Sequence, residues 1–405
     1  MLAPVLALAG VSFILSVMLT DAARRIGRRR LLLDSPGATG QQKVRRNVPN
    51  IGGIAIFWSI ALPMIAGIAS VWIGGDTVAR LIPAAAVHLD GIRSQTPMAL
   101  GLLAALFALH LLGLADDRRP MPAWPKFAVM LLVAAALVLT FDVRLLTCLD
   151  AYGSGKWLSI SITILWFIAI TNAMNFMDNM DGLSAGVGAV ASAMFLVAAL
   201  LNQQWFVSAT LALLLGSLCG FLVFNTPRRG GATIFMGDGG SLVLGFLLAF
   251  LTVRTTFVPA TQATASLSYA VLMPLCILAV PLYDLVTVIL IRLSQGRSPL
   301  VGDRQHFSHR LLAAGLTVPR ALAVICGCTA ITGISGIMLS IATGWQALLI
   351  ATQVFLVLAV IALYEHGKGW PDSLPRAAEE GRDRGIAPAP SKSSTPQANA
   401  RDARQ

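Results

Sequence analysis

The sequence predicts an all-α polytopic membrane protein with about 10–11 transmembrane helices. Apolar residues make up 56% of the chain and charged residues only 12%, whereas about a quarter of the residues in soluble domains are charged. The apolar residues also fall into about eleven runs, each close to the roughly twenty residues that a helix needs to cross a bilayer. Composition and run length together exclude an ordinary soluble protein.

The predicted spans follow one another along most of the chain. They are 2–20, 51–73, 97–115, 122–141, 157–176, 183–201, 205–224, 240–257, 268–292, 320–342 and 345–364. The basic stretch AARRIGRRR follows the first span, and basic residues concentrate in cytoplasmic loops. We therefore expect an uncleaved anchor with the N-terminus outside, and an odd number of spans places the C-terminus in the cytoplasm.

The domain prediction is an integral membrane domain over 1–366 and a disordered cytoplasmic tail over 367–405, because the tail is polar and rich in Pro, Ser and Ala. The net charge of +11 comes from basic residues between the apolar runs. Such residues set topology or contact phosphates, so no nucleic-acid partner is expected. The five cysteines lack the spacing of a zinc site or a disulfide framework.

The expected topology gathers the polar motifs on one side of the membrane. The cytoplasmic loops carry DDRRP, NFMDNMDG, NTPRRGGATIFMGDGG and SQGRSPLVGDRQHFSHR, whereas the opposite side holds scattered basic residues. A bilayer penalises polar side chains that lack a partner or water. The convergence therefore predicts a single site on the cytoplasmic face.

The stretch NFMDNMDG ends an apolar span with carboxylates and amides. Asn172, Asn175 and Asp178 are spaced by three, so on a helix they share roughly one face, which Asp181 continues. Hard oxygen groups of this kind bind Mg²⁺ through one or two ligands and leave other positions to substrate phosphates. The alternative is a polar helix end capped by Gly182.

The stretch DDRRP follows the third span directly. Asp116 and Asp117 repel each other, so a nearby cation or a shared proton is expected, and one of them could work as a base. The alternative is an acidic turn after a helix that Pro120 stops. Lys126, near the start of the next span, either contacts a phosphate or extends its amine to the membrane surface.

The stretch FMGDGGS begins the eighth span. Its glycines allow close backbone approach, and a helix N-terminus with free N–H groups predicts a phosphate site, with Asp238 placed to hold a cation. The alternative is a flexible Gly-rich linker. Phe235 is either a stacking platform for a base or part of a packed entry segment.

The stretch DRQHFSHRL precedes the tenth span. Arg304 suits bidentate recognition of a phosphate or a planar group. His306 and His309 share a face if this stretch is helical. A zinc site at these histidines is the alternative, but a third ligand of the usual kind is not nearby in the sequence.

Four motifs in this order, DD after a span, NAxNxxDxxDGL, FMGDxGS and DRQHxxH, resemble the polyprenyl-phosphate N-acetylhexosamine-1-phosphate transferases. That superfamily contains phospho-MurNAc-pentapeptide translocase and the undecaprenyl-phosphate GlcNAc-1-phosphate transferases. The resemblance implies an MraY-like fold in the bacterial inner membrane, with the active site on the cytoplasmic face. It also implies Mg²⁺-dependent transfer, with Mn²⁺ as a substitute ion, of a sugar 1-phosphate from a UDP-sugar to undecaprenyl phosphate, which releases UMP.

The resemblance also implies roles for the acidic residues. Asp238 and Asn175 resemble the metal-binding pair, and Asp178 lies next to the same cation. Asp116 and Asp117 match an aspartate pair that positions or deprotonates the lipid phosphate. The predicted catalytic residues are therefore Asp116, Asp117 and Asp178.

Other positions resemble substrate contacts. Asp181 and Phe235 match residues that hold and stack the uracil. Arg304, His306 and His309 match a loop that contacts the sugar and the diphosphate. Lys126 and Asn172 complete the predicted substrate-binding set.

The histidine loop resembles the GlcNAc-transferring branch, so UDP-GlcNAc is the favoured donor. The product would be a lipid-linked diphosphate sugar that initiates cell-surface polysaccharide synthesis. Ser308 stands where that branch usually has a second histidine, and QQKVRRNVPNIGG lacks the usual Arg-Lys-x-His. Another UDP-N-acetylhexosamine or UDP-MurNAc-pentapeptide therefore stays open as donor, and so does a homodimer.

Three rival classes have weaker support. An ion-coupled transporter could use Asp178 and Asp284, but it would not need a Gly-rich anion loop beside a basic histidine loop. An intramembrane prenyltransferase usually needs paired DxxxD-like sets, and an inactive scaffold would not need these polar residues. Asp284 has no assigned role and is expected either to pair with Arg292 or to line a lipid groove.

Overall fold

The structure is a computed structural model that describes residues 2–30, 48–81, 86, 88–151, 155–227, 231–255, 269–298 and 305–366. Within these residues it is helical and contains no β-strand. The described residues up to Glu365 belong to one compact unit. Arg304 and the predicted tail, 367–405, lie outside the described residues.

Thirteen α-helices and two short 3₁₀ helices, Thr147–Ala151 and Tyr269–Leu272, make up the described chain. The α-helices are α1 (Leu2–Arg29), α2 (Gly52–Leu81), α3 (Leu89–Arg118), α4 (Ala123–Phe141), α5 (Trp157–Phe176), α6 (Leu183–Leu201), α7 (Trp205–Asn225), α8 (Asp238–Arg254), α9 (Met273–Ile277), α10 (Ala279–Ser294), α11 (Phe307–Ala313), α12 (Val318–Met338) and α13 (Gly344–His366). Each of the eleven predicted apolar runs thus corresponds to helix over most of its described residues, and α11 is an additional short helix in the histidine loop.

The prediction of a polytopic membrane protein is confirmed. Nine of the described helices are long and apolar enough to cross a membrane, and a bent helix pair makes a tenth. The remaining apolar run forms α8, which has 17 residues and is buried from Gly239 to Thr252. It is therefore surrounded by the other helices rather than by lipid.

The predicted span 268–292 is broken rather than continuous. Tyr269–Ile277 and Ala279–Ser294 meet at an angle of 67°. Pro281 explains the break, because a proline has no N–H group to donate to the carbonyl four residues earlier, here that of Ile277, and its ring collides with that carbonyl.

The first span is longer than its apolar run. It was predicted over 2–20, yet α1 continues to Arg29. Asp21 forms ion pairs with Arg24 at 2.5 Å and with Arg25 at 2.6 Å. Pairs three and four residues apart stabilise a helix, so the basic segment extends α1 instead of forming a loop.

Helix α8 is the centre of the helical packing and touches α2, α3 and α5. Close approach depends on glycine, because a Cβ atom at Gly113 of α3 would lie 2.3 Å from the carbonyl carbon of Asp238. A Cβ atom at Gly245 would lie 2.6 Å from Cα of Thr171 in α5. Small residues allow membrane helices to approach in this way, and here they bring the ends of α3 and α5 to the start of α8.

Candidate active site

Asp238, the first residue of α8, lies at the centre of a polar cluster. Its Oδ2 accepts a hydrogen bond from Nζ of Lys126 at 3.1 Å, and its Oδ1 accepts one from Nδ2 of Asn175 at 3.0 Å. The same Nδ2 donates to Oγ of Ser241 at 2.9 Å. Helices α4, α5 and α8 therefore meet at this carboxylate.

Asp116 is the second carboxylate bound by Lys126. Nζ of Lys126 lies 2.9 Å from its Oδ2, and the backbone N–H of Met121 donates to its Oδ1 at 2.7 Å. The expected cation beside the aspartate pair is thus Lys126, which bridges Asp116 and Asp238. Both carboxylates keep some solvent exposure, at 12% and 24% of their side-chain surface, so a substrate can reach them.

Asp117 holds the N-terminus of α8. Its Oδ1 accepts the backbone N–H of Asp238 at 2.9 Å, and its Oδ2 accepts that of Gly239 at 3.0 Å. Nδ2 of Asn50 donates to Oδ1 at 3.0 Å. The two aspartates therefore differ in their surroundings, because one contacts the lysine and the other caps a helix.

The prediction of free N–H groups at the start of α8 is wrong. Asp117 takes two of the first four N–H groups, and the carbonyl of Gly237 accepts those of Gly240 and Ser241 at 3.0 Å each. A carboxylate from another helix occupies the place where a phosphate was expected, because a helix N-terminus attracts any anion that the fold brings to it. The first four N–H groups of α8 therefore offer no phosphate site in this structure.

The donor atoms of this cluster fit a Mg²⁺ ion. Asp238 and Asp116 supply carboxylate oxygens, and an ammonium group already lies between them, where a cation is electrostatically favoured. Both described hydrogen bonds of the Asn175 side chain use Nδ2, so its amide oxygen could serve as a further metal ligand. Within the described residues, no group of three or more His, Cys, Asp or Glu side chains forms a metal cage, and Mg²⁺ usually needs only one or two carboxylates plus substrate phosphates.

A segment before α2 completes the site. The N–H of Phe235 donates to the carbonyl of Pro49 at 2.8 Å, and the N–H groups of Gly52 and Gly53 donate to the carbonyls of Phe235 and Met236 at 2.9 Å each. This pairing brings Asn50 to Asp117. It also fixes the backbone of Phe235 as part of a packed entry segment, while its side chain stays half-buried.

Helix α5 ends before the polar stripe predicted from its sequence is complete. The helix ends at Phe176, so Asp178 lies in the turn that follows. Nδ2 of Asn172 donates to its own helix at the carbonyl of Ile168, 2.8 Å away. Asp181 instead accepts the backbone N–H of Ala232 at 2.9 Å, which ties this turn to the segment before α8.

The histidine loop does not place its two histidines on one helical face. His306 precedes the first residue of α11 and is buried, whereas His309 lies within α11 and is half-buried. Ser308 donates a hydrogen bond to Oδ1 of Asn179, in the turn after α5. The loop therefore lies against the NFMDNMDG motif, as expected of one site.

Asp284 and His110 have structural partners in or near this site. Asp284 lies 3.0 Å from Nδ1 of His306 rather than in a lipid groove. His110 of α3 is buried, stacks on Phe57 and donates from Nδ1 to the carbonyl of Gly239 at 2.7 Å. The carbonyl group can only accept, so Nδ1 carries the proton.

Comparison with known proteins identifies relatives of this chain. Residues 99–256 match the family model described as glycosyl transferase family 4. A decaprenyl-phosphate N-acetylglucosaminephosphotransferase of Mycobacterium tuberculosis (strain CDC 1551 / Oshkosh) is 31% identical over 322 residues, which cover 74% of this chain and 75% of that protein. The chain belongs to glycosyl transferase family 4.

Two other family relatives are similar over a larger share of the chain. A probable undecaprenyl-phosphate N-acetylglucosaminyl 1-phosphate transferase of Bacillus subtilis (strain 168) is 29% identical over 87% of this chain and 89% of its own length. An undecaprenyl-phosphate alpha-N-acetylglucosaminyl 1-phosphate transferase of Escherichia coli (strain K12) is 24% identical over 88% of each chain. The superfamily inferred from the four motifs is confirmed.

The family 4 match covers most of the polar cluster, from Asp116 to Asp238. Two side chains in or near the cluster were missed by the sequence analysis, namely Asn50 and His110. Asn50 precedes an apolar span in VPNIGG, and His110 interrupts the apolar run ALFALHLLGLADD. A polar side chain inside or beside an apolar run was the available signal, because it needs a partner in the membrane.

Proposed function

We propose that this protein transfers GlcNAc-1-phosphate from UDP-GlcNAc to undecaprenyl phosphate and releases UMP. The product is the lipid-linked diphosphate sugar that initiates a cell-surface polysaccharide. The names of the three relatives support the reaction and the polyprenyl phosphate acceptor. The observation that carries the proposal is the cluster of Asp116, Lys126, Asn175 and Asp238 at the start of α8.

The proposed location is the bacterial inner membrane, with the site on the cytoplasmic face. The N-terminus is outside and the C-terminus is in the cytoplasm. The distribution of basic loop residues supports this orientation, because arginine and lysine concentrate on the cytoplasmic side.

The reaction forms a bond between an oxygen of the lipid phosphate and the β-phosphorus of UDP-GlcNAc. The bond from that phosphorus to the oxygen bridging the two phosphates breaks, and UMP leaves. When bound by Asp238 and Asn175, Mg²⁺ supplies positive charge for the diphosphate. Lys126 adds a second positive charge beside Asp238. A charge that is already in place stabilises the transition state without any rearrangement of the protein during the reaction.

The two aspartates have different tasks in this mechanism. Asp116 keeps solvent exposure and faces Lys126, so it orients the lipid phosphate and accepts its proton if that phosphate arrives protonated. Asp117 caps α8 and positions Asp238. This division is our assignment for a pair whose roles the motif alone left open.

The segments around this cluster bind the sugar donor, UDP-GlcNAc. Asp181 and Phe235 hold the uracil, and Asp178 lies beside the metal-binding pair. Arg304, His306 and His309 contact the diphosphate and the sugar, and Asn172 lines the site from α5. The hydrogen bond from Ser308 to Asn179 supports this grouping, because it joins the histidine loop to the NFMDNMDG turn.

The test uses purified protein with undecaprenyl phosphate, Mg²⁺ and a panel of UDP-sugars, and it follows UMP release with and without EDTA. We expect metal-dependent UMP release from UDP-GlcNAc. Release from another UDP-N-acetylhexosamine or from UDP-MurNAc-pentapeptide would keep the mechanism and change the donor. Folded protein that releases no UMP from any donor would contradict the proposed reaction and favour the alternative of an ion-coupled transporter.

A further inference from the structure

Asp284 of α10 is a buried carboxylate, with 1% of its surface exposed, and it makes two contacts in the histidine loop. Its Oδ2 lies 3.0 Å from Nδ1 of His306, and its Oδ1 accepts the backbone N–H of Phe307 at 2.5 Å. A carboxylate inside a membrane protein is costly unless it is paired. Both oxygens of Asp284 have a partner in the same short segment, so the residue serves that segment.

The contact with Asp284 selects one protonation pattern of the imidazole ring. A carboxylate oxygen accepts a hydrogen bond, so Nδ1 of His306 must carry the proton. Nε2 is then the ring nitrogen that can bind a further partner. The choice between the two nitrogens is made by Asp284 and not by the histidine itself.

The ring of His306 is also held in place by packing. It is 6% exposed and makes a T-shaped contact with Phe176, with ring centroids 5.2 Å apart and planes at 70°. Phe176 is the last residue of α5 and follows Asn175 directly. The imidazole is therefore fixed next to the helix end that carries one of the two proposed metal-binding residues.

Helix α10 contributes a second residue to this packing. The guanidinium carbon of Arg292 lies 5.3 Å from the centroid of the Phe176 ring. Asp284 and Arg292, both buried residues of α10, thus reach the histidine and the ring on which it packs. The arrangement links α10, which lies outside the family-model match, to the end of α5.

We infer that Asp284 is a positioning residue of the transfer site, which fixes His306 with its proton on Nδ1 and leaves the Nε2 lone pair to accept a hydrogen bond from a hydroxyl or amide N–H group of the sugar in the sugar nucleotide. This inference rests on the proposed function. Partners that orient a functional histidine through its second nitrogen typically contribute about 10–100-fold in metal sites, and we expect a loss of similar size here.

A structural role must be separated from this one, because Asp284 also accepts the N–H of Phe307 at the start of α11. Asp284→Asn keeps an amide oxygen for that N–H but places an NH₂ group opposite Nδ1 of His306, which favours the other tautomer. Glu365→Gln is the matched control. It weakens the 2.7 Å ion pair that holds Arg310 of the same helix and leaves His306 untouched.

The first measurement is independent of catalysis. The full-length protein contains five histidines, so ring-¹⁵N-labelled histidine in nanodiscs gives few resonances, and His306→Gln identifies the one of interest. We expect the ring proton on Nδ1 in the unmodified protein and on Nε2 in Asp284→Asn. A proton on Nε2 in the unmodified protein would overturn the inference.

The second measurement is a double-mutant cycle on UMP release, with kcat and KM determined for each variant. We expect Asp284→Asn to lower kcat by about 10–100-fold and to have little further effect in the His306→Gln background. Additive losses, or an equal loss in Glu365→Gln, would reduce Asp284 to a structural residue. If the tautomer changes as expected but no protein releases UMP, the proposed function fails while the Asp284–His306 contact stands.

Discussion

At the scale of single residues, the adjacent aspartates Asp116 and Asp117 differ in their hydrogen-bond partners. Asp116 contacts the ammonium group of Lys126, whereas Asp117 accepts two N–H groups of α8 and one of Asn50. Identical side chains at neighbouring positions thus meet different chemistry, because they leave the helix at different angles. This difference is open to direct test.

Asp116→Asn and Asp117→Asn should fail in different ways. We expect Asp116→Asn to lower kcat by about 10²–10⁴-fold with little change in melting temperature. Asp117→Asn places an NH₂ group against an N–H group of α8, which should destabilise the protein by about 1–3 kcal/mol and lower kcat as well. Thermal unfolding in detergent, measured beside UMP release, separates the two. Equal melting temperatures for both variants would contradict the capping role of Asp117.

Lys126 offers a second test at this scale. Lys126→Met removes the cation between Asp116 and Asp238, so we expect kcat to fall by about 10²-fold. The Mg²⁺ concentration for half-maximal rate should fall as well, because the remaining carboxylates attract a divalent ion more strongly. A Mg²⁺ titration of UMP release measures both effects. Lys126→Arg keeps the charge and should lose less activity, and a rise in the required Mg²⁺ concentration would contradict this account.

At the scale of helices, the position of α8 depends on how closely α3 can approach it. Gly113 allows that approach, because a Cβ atom there would lie 2.3 Å from the carbonyl carbon of Asp238 and 2.4 Å from N of Gly239. His110, one turn earlier, donates to the carbonyl of Gly239. Helix α3 therefore contacts the start of α8 through the backbone of Gly113, the His110 ring and the Asp117 carboxylate.

Gly113→Ala should displace the start of α8. Overpacking of this kind usually costs about 1–3 kcal/mol, and we expect both a lower melting temperature and a large loss of UMP release. Gly91→Ala is the control, since it lies in the same helix with no atom within 4 Å of the added Cβ. Equal behaviour of the two variants in thermal unfolding would show that the contact is not tight.

At the scale of the whole molecule, the apolar runs predicted every main helix, because membrane spans are determined by length and hydropathy. The break at Leu278 followed from Pro281 but was not predicted, since the run on both sides is equally apolar. The sequence could have marked Asn50 and His110 as polar residues beside or inside apolar runs, but their partners became identifiable only when distant segments were brought together. The contact between Asp117 and α8 joins residues 121 positions apart, and no local pattern encodes such a pairing.

The proposed membrane orientation predicts the accessibility of one cysteine. Cys148 lies between α4 and α5 and is exposed, whereas Cys219, Cys276, Cys326 and Cys328 lie within helices and are buried or half-buried. We expect a membrane-impermeant maleimide to label Cys148 on intact spheroplasts. An added cysteine at exposed Arg119, in a Cys148→Ser background, should react only after permeabilisation. The reverse labelling pattern would show that the membrane orientation is opposite to the proposed one.

The long separation between Asp117 and its partners also affects how the protein is made. At about 5–20 residues per second, the ribosome needs roughly 6–24 s to reach Asp238 after Asp117 has been synthesised. During that interval the two N–H groups of α8 do not yet exist, so water at the membrane surface takes their place beside the carboxylate at the end of α3. Insertion of α8 then removes the Asp117 carboxylate from water. The polar cluster of the site therefore forms only when this one short helix has been inserted.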